Sequence, residues 1–96
     1  MAEDAVRADV WLWRARFCKT RTLAATLVDG GKVRLTRGGQ ETRLDKPART
    51  LKPGDVLVFA IGGRVHAVRI EALGVRRGPP AEARGLYSDL DAPPSL

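Results

Sequence analysis

The spacing of apolar residues over the first 30 positions predicts two short helices. In the first, Val10, Trp13 and Phe17 fall on one face at 100° per residue. Asp9 stands just before them, where a carboxylate caps a helix by accepting hydrogen bonds from the free amides of the first turn. Thr20 is a second N-cap, and it precedes an apolar stripe at helical spacing, made of Leu23, Ala24, Leu27 and Val28. Because the connection between the two helices is short, we expect them to pack together.

After a pair of glycines, which ends the second helix, the pattern changes to the alternation that is typical of β-strands. Val33 and Leu35 alternate with polar residues. Further along, the apolar run 56–61 and the segment 65–70 flank a Gly-Gly pair, which predicts a hairpin. The sequence therefore predicts an α+β fold, in which two packed N-terminal helices are followed by a small, mainly antiparallel twisted sheet.

The composition of the chain changes at Gly74, because four of the six prolines follow this position. We therefore assign residues 7–73 to the folded domain and residues 74–96 to a semi-ordered tail rich in proline and glycine. Within this tail Pro80 favours the start of a short helix, since proline is well tolerated in a first helical turn. Gly85 weakens the pattern of that helix.

The charge of the chain points to the kind of partner it binds. The formal net charge is +6, and residues 6–70 carry fourteen basic against five acidic side chains, a net charge of +9. The excess therefore lies on the segment that is predicted to fold. A concentrated basic surface favours nucleic acid, with RNA first and DNA as an alternative, because phosphate contacts alone do not distinguish the two. A solvated basic surface without a partner is the remaining interpretation.

Residues that carry enzymatic chemistry are sparse in this sequence. His66 lies alone in a predicted strand, and Cys18 beside Lys19 has no second histidine or acid placed to complete a catalytic pair. The glycines form no phosphate loop, and the carboxylates do not follow metal-ligand spacing. We therefore expect packing roles for His66 and Cys18. We expect no enzymatic activity, no catalytic residue, no cofactor and no metal.

Sequence features of export and membrane insertion are also missing. The longest apolar run has six residues, whereas a membrane-spanning helix needs about 20. The first five residues include two acids and no apolar segment of the kind found in secretory signals. The single cysteine excludes an internal disulfide. These features predict a cytoplasmic protein with no membrane partner.

Basic residues gather around the start of the second predicted helix. Lys19 and Arg21 flank Thr20, where the helix dipole already places about half a positive charge. Two cations there destabilise an isolated helix by about 0.3–1 kcal/mol each, and they become favourable when a phosphate docks on the free amides. Lys32 and Arg34 follow the helix and extend this site. The alternative is that these side chains simply point into solvent.

Two other pairs of residues bear on the same surface. Arg14 and Arg16 are 200° apart on a helical wheel, so at most one of them shares a surface with Arg21. Trp11 and Trp13 have flat rings that stack well on unpaired bases, but core packing is the favoured interpretation for both.

Five segments stand in a distinctive order and spacing: Arg7-Ala8-Asp9-Val10-Trp11-Leu12-Trp13, Ala15-Arg16-Phe17, Lys19-Thr20-Arg21, Ala24 and Gly31-Lys32-Val33. They resemble the RNA-binding domain named after small-subunit ribosomal protein S4. Within that group, the Trp-Leu-Trp and Lys-Thr-Arg segments resemble the family of the bacterial heat-shock protein of fifteen kilodaltons. The resemblance covers about residues 7–59, and it implies an αL-type RNA-binding fold.

The resemblance also implies a site and a partner. It matches the RNA-facing positions of the family to Arg7, Arg16, Lys19, Thr20, Arg21 and Lys32. We add Arg34, because it alternates with the apolar residues Val33 and Leu35 and so faces away from the core. It implies binding to structured RNA, and in that family to ribosomal RNA of the free large ribosomal subunit that still carries a nascent chain on peptidyl-tRNA.

The first hypothesis is therefore a stand-alone, monomeric RNA-binding protein that acts on the ribosome in the heat-shock response. One alternative is an RNA-binding partner of a separate RNA-modifying enzyme. Another is a protein adaptor whose basic face is incidental.

Overall fold

The computed structural model describes residues 4–90 of the chain. It contains three helices in this range: α1 (Ala8–Arg14), α2 (Arg21–Asp29) and α3 (Pro80–Arg84). The strands of the same range are β1 (Val6–Arg7), β2 (Val33–Arg37), β3 (Gln40–Leu44), β4 (Thr50–Leu51), β5 (Val56–Ile61), β6 (Arg64–Ile70) and β7 (Tyr87–Asp89).

The strands form two sheets, and every pairing is antiparallel. The main sheet has the order β3-β2-β5-β6-β7, and β1 pairs separately with β4. The β5–β6 hairpin turns through Gly62 and Gly63, whose φ angles of 60° and 80° fit the left-handed conformation that two-residue hairpin turns require. The predicted α+β class, with helices first and an antiparallel sheet after them, is confirmed.

Helix α1 differs from its prediction at both ends. It begins two residues earlier, with Arg7 rather than Asp9 at the N-cap position and no side-chain cap. The amides of Ala8 and Asp9 donate instead to the carbonyls of Arg49 and Pro47, which removes the need for a side-chain cap. The predicted role of Asp9 as the N-cap is therefore wrong.

The buried face of α1 also differs from the predicted one. Trp11 and Leu12 are buried, whereas Val10 and Trp13 are only half-buried. Helix α1 ends at Arg14 and the chain takes a left-handed conformation at Arg16, with φ of 66°, so Phe17 lies outside the helix. The helical spacing of 100° per residue that placed Val10, Trp13 and Phe17 on one face therefore does not extend to Phe17.

Helix α2 confirms its predicted boundaries. The Oγ1 atom of Thr20 accepts a hydrogen bond of 3.0 Å from the backbone amide of Leu23, which is the predicted cap. The helix ends at the glycine pair, where Gly31 has a φ of 71°. The apolar stripe is buried at its centre through Ala24 and Val28, but Leu23 stays 52% exposed.

The chain after Leu73 is packed onto the domain through residue 90, so the predicted semi-ordered tail is corrected for residues 74–90. Helix α3 is short and ends at Gly85. Strand β7 then pairs with β6, and Leu86 and Ala83 are buried. These long-range anchors outweigh the proline and glycine content, which marks turns here and not disorder. Residues 91–96 of the predicted tail lie outside the described residues.

An aromatic cluster joins α1, the sheet and β7. Phe17 lies with its ring centroid 4.9 Å from Phe59 and 4.7 Å from Tyr87, and His66 stacks on Phe59 at 5.4 Å. Cys18 is buried, and burial raises the pKa of its thiol. Both His66 and Cys18 therefore have the packing roles that were predicted for them.

Candidate nucleic-acid interface

The start of α2 is exposed and carries positive charge without a compensating acid in its first turn. Lys19, Thr20 and Arg21 are all exposed, and the first turn of α2 contains no acidic residue. Thr20 uses its hydroxyl oxygen for the cap, which fixes the backbone at the helix end between the two exposed cations. This arrangement places two exposed cations on either side of Thr20, at the positive end of the helix dipole.

A buried carboxylate lies next to this surface and draws two arginines together. Asp9 is 4% exposed. The Nε and Nη2 atoms of Arg7 donate to its two carboxylate oxygens at 3.1 and 3.0 Å. The Nη2 atom of Arg21 lies 4.0 Å from Oδ2 of the same carboxylate. The side chains of Arg7 and Arg21 are 49% and 52% exposed, so both guanidinium groups also face solvent.

On another part of the surface, two lysines border an apolar groove. Lys19 and Lys32 line this groove together with Leu23, Leu27 and Ile61, and its volume is about 450 Å³. We call it the lysine groove. An adjoining depression, also lined by Lys32, contains Arg34 from the outer face of β2. The structure therefore brings Lys19, Lys32 and Arg34 together along the junction of α2, β2 and β5.

Arg34 confirms the predicted orientation of β2. Its neighbours Val33 and Leu35 are buried, and Arg34 is exposed. Its Nη1 atom forms an ion pair of 3.3 Å with Glu41, and both side chains are about half exposed. Because exposed ion pairs contribute about 0–1 kcal/mol, this pair does not prevent Arg34 from exchanging Glu41 for a phosphate.

Arg16 stands apart from the other predicted site residues. Its Nε atom donates to the carbonyl of Gly78 at 2.6 Å, and this contact ties the end of α1 to the segment that leads into α3. Arg14 and Arg77 make similar side-chain contacts to the carbonyls of Gly74 and Trp13. The structure therefore shows Arg16 in a packing contact, and a direct contact with RNA stays a prediction.

Asp9 is the residue of this surface whose role the sequence analysis missed. It was interpreted as a helix cap, whereas its carboxylate binds arginines. The available signal was an acid two residues from one arginine, in a segment with a large excess of positive charge. That signal was insufficient, because the contact with Arg21 depends on how the two helices pack.

Metal sites and membrane-spanning helices are two other features that bear on function, and the structure describes residues 4–90. In this range no group of three or more histidine, cysteine or acidic residues is placed to hold a metal ion. No helix in the same range is both long and apolar enough to cross a membrane.

Comparisons with known proteins decide the family. Residues 6–35 match the S4 domain, a stretch that runs from β1 to β2. The solved structure of heat shock protein 15 from Vibrio cholerae is 37% identical and superimposes with a TM-score of 0.79, covering 91% of this chain and 83% of that one. The chain belongs to the heat shock protein 15 family. Its fold is accordingly the one that the S4-type RNA-binding domain implied.

Curated members of the heat shock protein 15 family are longer than this chain. The Escherichia coli K12 protein is 38% identical over 84 residues, which are 88% of this chain and 59% of the relative. The Haemophilus influenzae homolog is 34% identical over 92 residues, which are 96% of this chain and 66% of the relative. The chain thus spans about three fifths to two thirds of the length of these relatives.

The S4 match contains every residue predicted for the site. Residues 6–35 include Arg7, Arg16, Lys19, Thr20, Arg21, Lys32 and Arg34. The match supports an RNA-binding role for this part of the chain as a whole. The contact of each individual residue with RNA stays a prediction.

Proposed function

We propose that this member of the heat shock protein 15 family is a cytoplasmic, non-enzymatic protein that binds structured ribosomal RNA. Its proposed target is the free large ribosomal subunit with a stalled nascent chain. The observation that carries the proposal is the exposed basic surface around the start of α2, which lies inside the S4 match. Phosphates of a folded RNA would bind to this surface without any metal or cofactor.

Charge supplies the attraction in this proposal, but shape has to supply the selectivity. Electrostatic contacts alone bind nucleic acid non-specifically at about 10⁻⁴–10⁻⁶ M at physiological salt. Double-stranded regions of RNA are recognised mostly through shape and backbone contacts. Because α1 and α2 pack together and Thr20 fixes the end of α2, the cations would be presented at set distances. A rigid basic surface of this kind favours one folded RNA over a random polyanion.

One chain contains the whole proposed surface, so a monomer is sufficient for binding. The related Vibrio cholerae protein is a trimer in its solved structure. Association of several copies would repeat the surface and raise avidity without changing its chemistry.

The test is gradient sedimentation of cell lysate at near-physiological salt, with detection of the protein in each fraction. We expect recovery with free large subunits, and more of it after heat interrupts translation. The test variant is Lys19→Gln/Lys32→Gln, which removes two cations from the lysine groove. Each lost phosphate contact should lower the magnitude of the salt slope of RNA binding by about 0.7. The weaker binding should remove this variant from the subunit fraction.

The matched control is Lys52→Gln/Arg69→Gln, which has the same net charge as the test variant. Arg69 pairs with Val56, and Val56 pairs with Thr36, at the opposite end of β2 from Lys32. The control should stay with large subunits. Equal loss from both variants, or equal wild-type distribution over both subunits, would indicate mere electrostatic adhesion.

The alternatives have their own outcomes in the same gradient. Recovery with small subunits alone contradicts the proposed target and leaves RNA binding intact. Recovery with a separate enzyme and without ribosomal RNA supports the adaptor or enzyme-partner hypothesis. Release from the particles by deoxyribonuclease, and not by ribonuclease, supports DNA.

A further inference from the structure

Asp9 presents a conflict within a surface that binds a polyanion. Its carboxylate adds a negative charge beside two exposed arginines, which lowers the positive potential that attracts phosphate. Burying a carboxylate is also costly unless it is paired and hydrogen-bonded. A chain that only needed positive charge here would do better with a neutral residue. The acid at this position therefore calls for a role that outweighs the lowered potential, and its burial is compensated by its charged partners.

A helix-capping role does not account for Asp9. Helix α1 has no side-chain cap, and the amides of Ala8 and Asp9 are already bound by the carbonyls of Arg49 and Pro47. The contacts of the carboxylate that the structure does show lead to the guanidinium groups of Arg7 and Arg21. Its effect is consequently on the positions of those two side chains.

The two guanidinium groups reach Asp9 from different elements. Arg7 belongs to β1 and Arg21 to the first turn of α2, and they converge on the same oxygen, Oδ2, at 3.0 and 4.0 Å. Without a shared anion, two such cations would repel each other and move apart. With it, Arg7 is held by two hydrogen bonds and Arg21 lies 4.0 Å from the same oxygen, while each side chain stays about half exposed to solvent.

We propose that Arg7 and Arg21 form one site for a single RNA phosphate, and that Asp9 is the positioning residue of this site. The inference rests on the proposed RNA-binding function and deepens it by naming the ligand group. A guanidinium group has five N–H donors in a planar fork that matches phosphate oxygens. Arg7 donates two of them to Asp9, which orients the fork and leaves other donors for the phosphate. Arg21, Asp9, Thr22 and Ala25 line a shallow depression, and Arg7 reaches the Asp9 carboxylate from β1.

The first test is Asp9→Asn, because the two interpretations of Asp9 predict opposite signs. If Asp9 is only a nearby negative charge, its neutralisation tightens binding to RNA. If it positions the arginines, binding weakens, and we expect a loss of about tenfold, the size of one hydrogen-bonded charged contact. The measurement is a titration of deproteinised large-subunit ribosomal RNA at fixed salt. The control is Glu41→Gln, which neutralises the exposed partner of Arg34 and should leave affinity unchanged or higher.

The second test measures coupling within the site. Arg7→Lys and Arg21→Lys keep the charge and remove the planar fork. We expect each to weaken binding in the wild-type background. The double variant should lose clearly less than the sum of the two losses, because both arginines serve one phosphate. In the Asp9→Asn background, Arg7→Lys should change affinity little.

These measurements separate the failure of this inference from the failure of the proposed function. Tighter or unchanged binding by Asp9→Asn overturns the inference, and so do additive losses of the two lysine variants. Either result leaves the RNA-binding function standing if Lys19→Gln/Lys32→Gln still loses the RNA. If Asp9→Asn does not fold by circular dichroism, the pair of lysine variants decides, since both retain Asp9.

Discussion

The described part of the chain buries two acidic residues, Asp9 and Asp55, and both bind arginine, but in different ways. Asp55 accepts hydrogen bonds from Nε and Nη2 of Arg37 at 2.9 and 2.7 Å, and from the backbone amide of Lys52 at 2.8 Å. The same Nη2 atom also donates to the carbonyl of Thr50. Asp55 therefore joins a side chain, a turn and a strand into one closed network.

Asp9 forms an open arrangement by comparison. It holds Arg7 by two hydrogen bonds and Arg21 by an ion pair of 4.0 Å. The side chain of Arg21 is 52% exposed, and its contact with Asp9 is too long for a hydrogen bond. The same pair of residue types thus has two uses. The hydrogen-bonded network of Asp55 stabilises the fold, whereas Arg21 is too far from Asp9 for a hydrogen bond and would keep its donors for the proposed phosphate.

Among the changes that test this comparison, removal of residues 74–96 should lower the stability of the fold the most. Strand β7 pairs with β6 at the edge of the sheet. Ile70, at the end of β6, exchanges backbone hydrogen bonds with Asp55 and Gly54. A chain that ends at Leu73 loses the buried Leu86 and the half-buried Tyr87, which together are worth about 3–6 kcal/mol. That loss is comparable with the whole stability of a domain of this size.

We therefore expect the truncated chain to melt far below the full chain, or to be unfolded at 25 °C, when followed by circular dichroism. Full retention of stability would show that the Asp55 side of the molecule does not depend on its neighbouring strands. The comparison between a structural and a functional aspartate would then fail on its structural half.

The next effect in size is that of Asp55→Asn. The substitution removes the charge that binds Arg37 and weakens the contact with the Lys52 amide. We expect a loss of about 2–3 kcal/mol, because hydrogen bonds to charged groups are involved and one partner remains in place. In a domain of this size the melting temperature should fall by about 10–20 °C.

Affinity for RNA is the matching measurement for Asp55→Asn. Measured well below the melting temperature, it should equal that of the wild type, in contrast to Asp9→Asn. A loss of RNA affinity in folded Asp55→Asn would show that the two carboxylates do not have separate roles.

Features that depend on contacts between nearby positions in the sequence were predicted correctly, and features that depend on distant positions were not. The Thr20 cap, the glycine pair after α2 and the Gly62-Gly63 turn depend on neighbours within a few residues, and each was predicted. Asp9 and β7 depend on partners that only the folded chain brings near. Arg21 is 12 positions from Asp9, and Tyr87 is 17 positions from its partner Ile70. No local pattern contains these contacts.

The sequence predicted which basic residues belong to the candidate site, but it did not predict how these residues group in space. The basic residues were found because charge and helix-start position are visible in the sequence. Their separation into an arginine pair around Asp9, a lysine groove and a packed Arg16 depends on the crossing of α1 and α2 and on the path of the chain after Leu73.

The smallest expected effect is a pH response that reports on the Asp55 side of the molecule. Tyr87 is the single tyrosine of the chain, and it pairs with Ile70, whose amide donates to the backbone carbonyl of Asp55. Burial raises the pKa of Tyr87, and the nearby carboxylate of Asp89 raises it further. The neutral phenol is therefore favoured in the folded state. Its contribution to stability is complete below the unfolded pKa of about 10 and is lost as the pH rises through the folded pKa.

The measurement of this response is absorbance at 295 nm during an alkaline titration of the folded protein. We expect the midpoint of wild-type Tyr87 to lie above that of the unfolded chain in denaturant. Asp9→Asn should leave this midpoint unchanged, because its contacts lead to Arg7 and Arg21. Asp55→Asn should move it towards the unfolded value, because loosening the turn at Asp55 loosens Ile70 and exposes the phenol. A shift caused by Asp9→Asn, and none by Asp55→Asn, would reverse the assignment of the two aspartates.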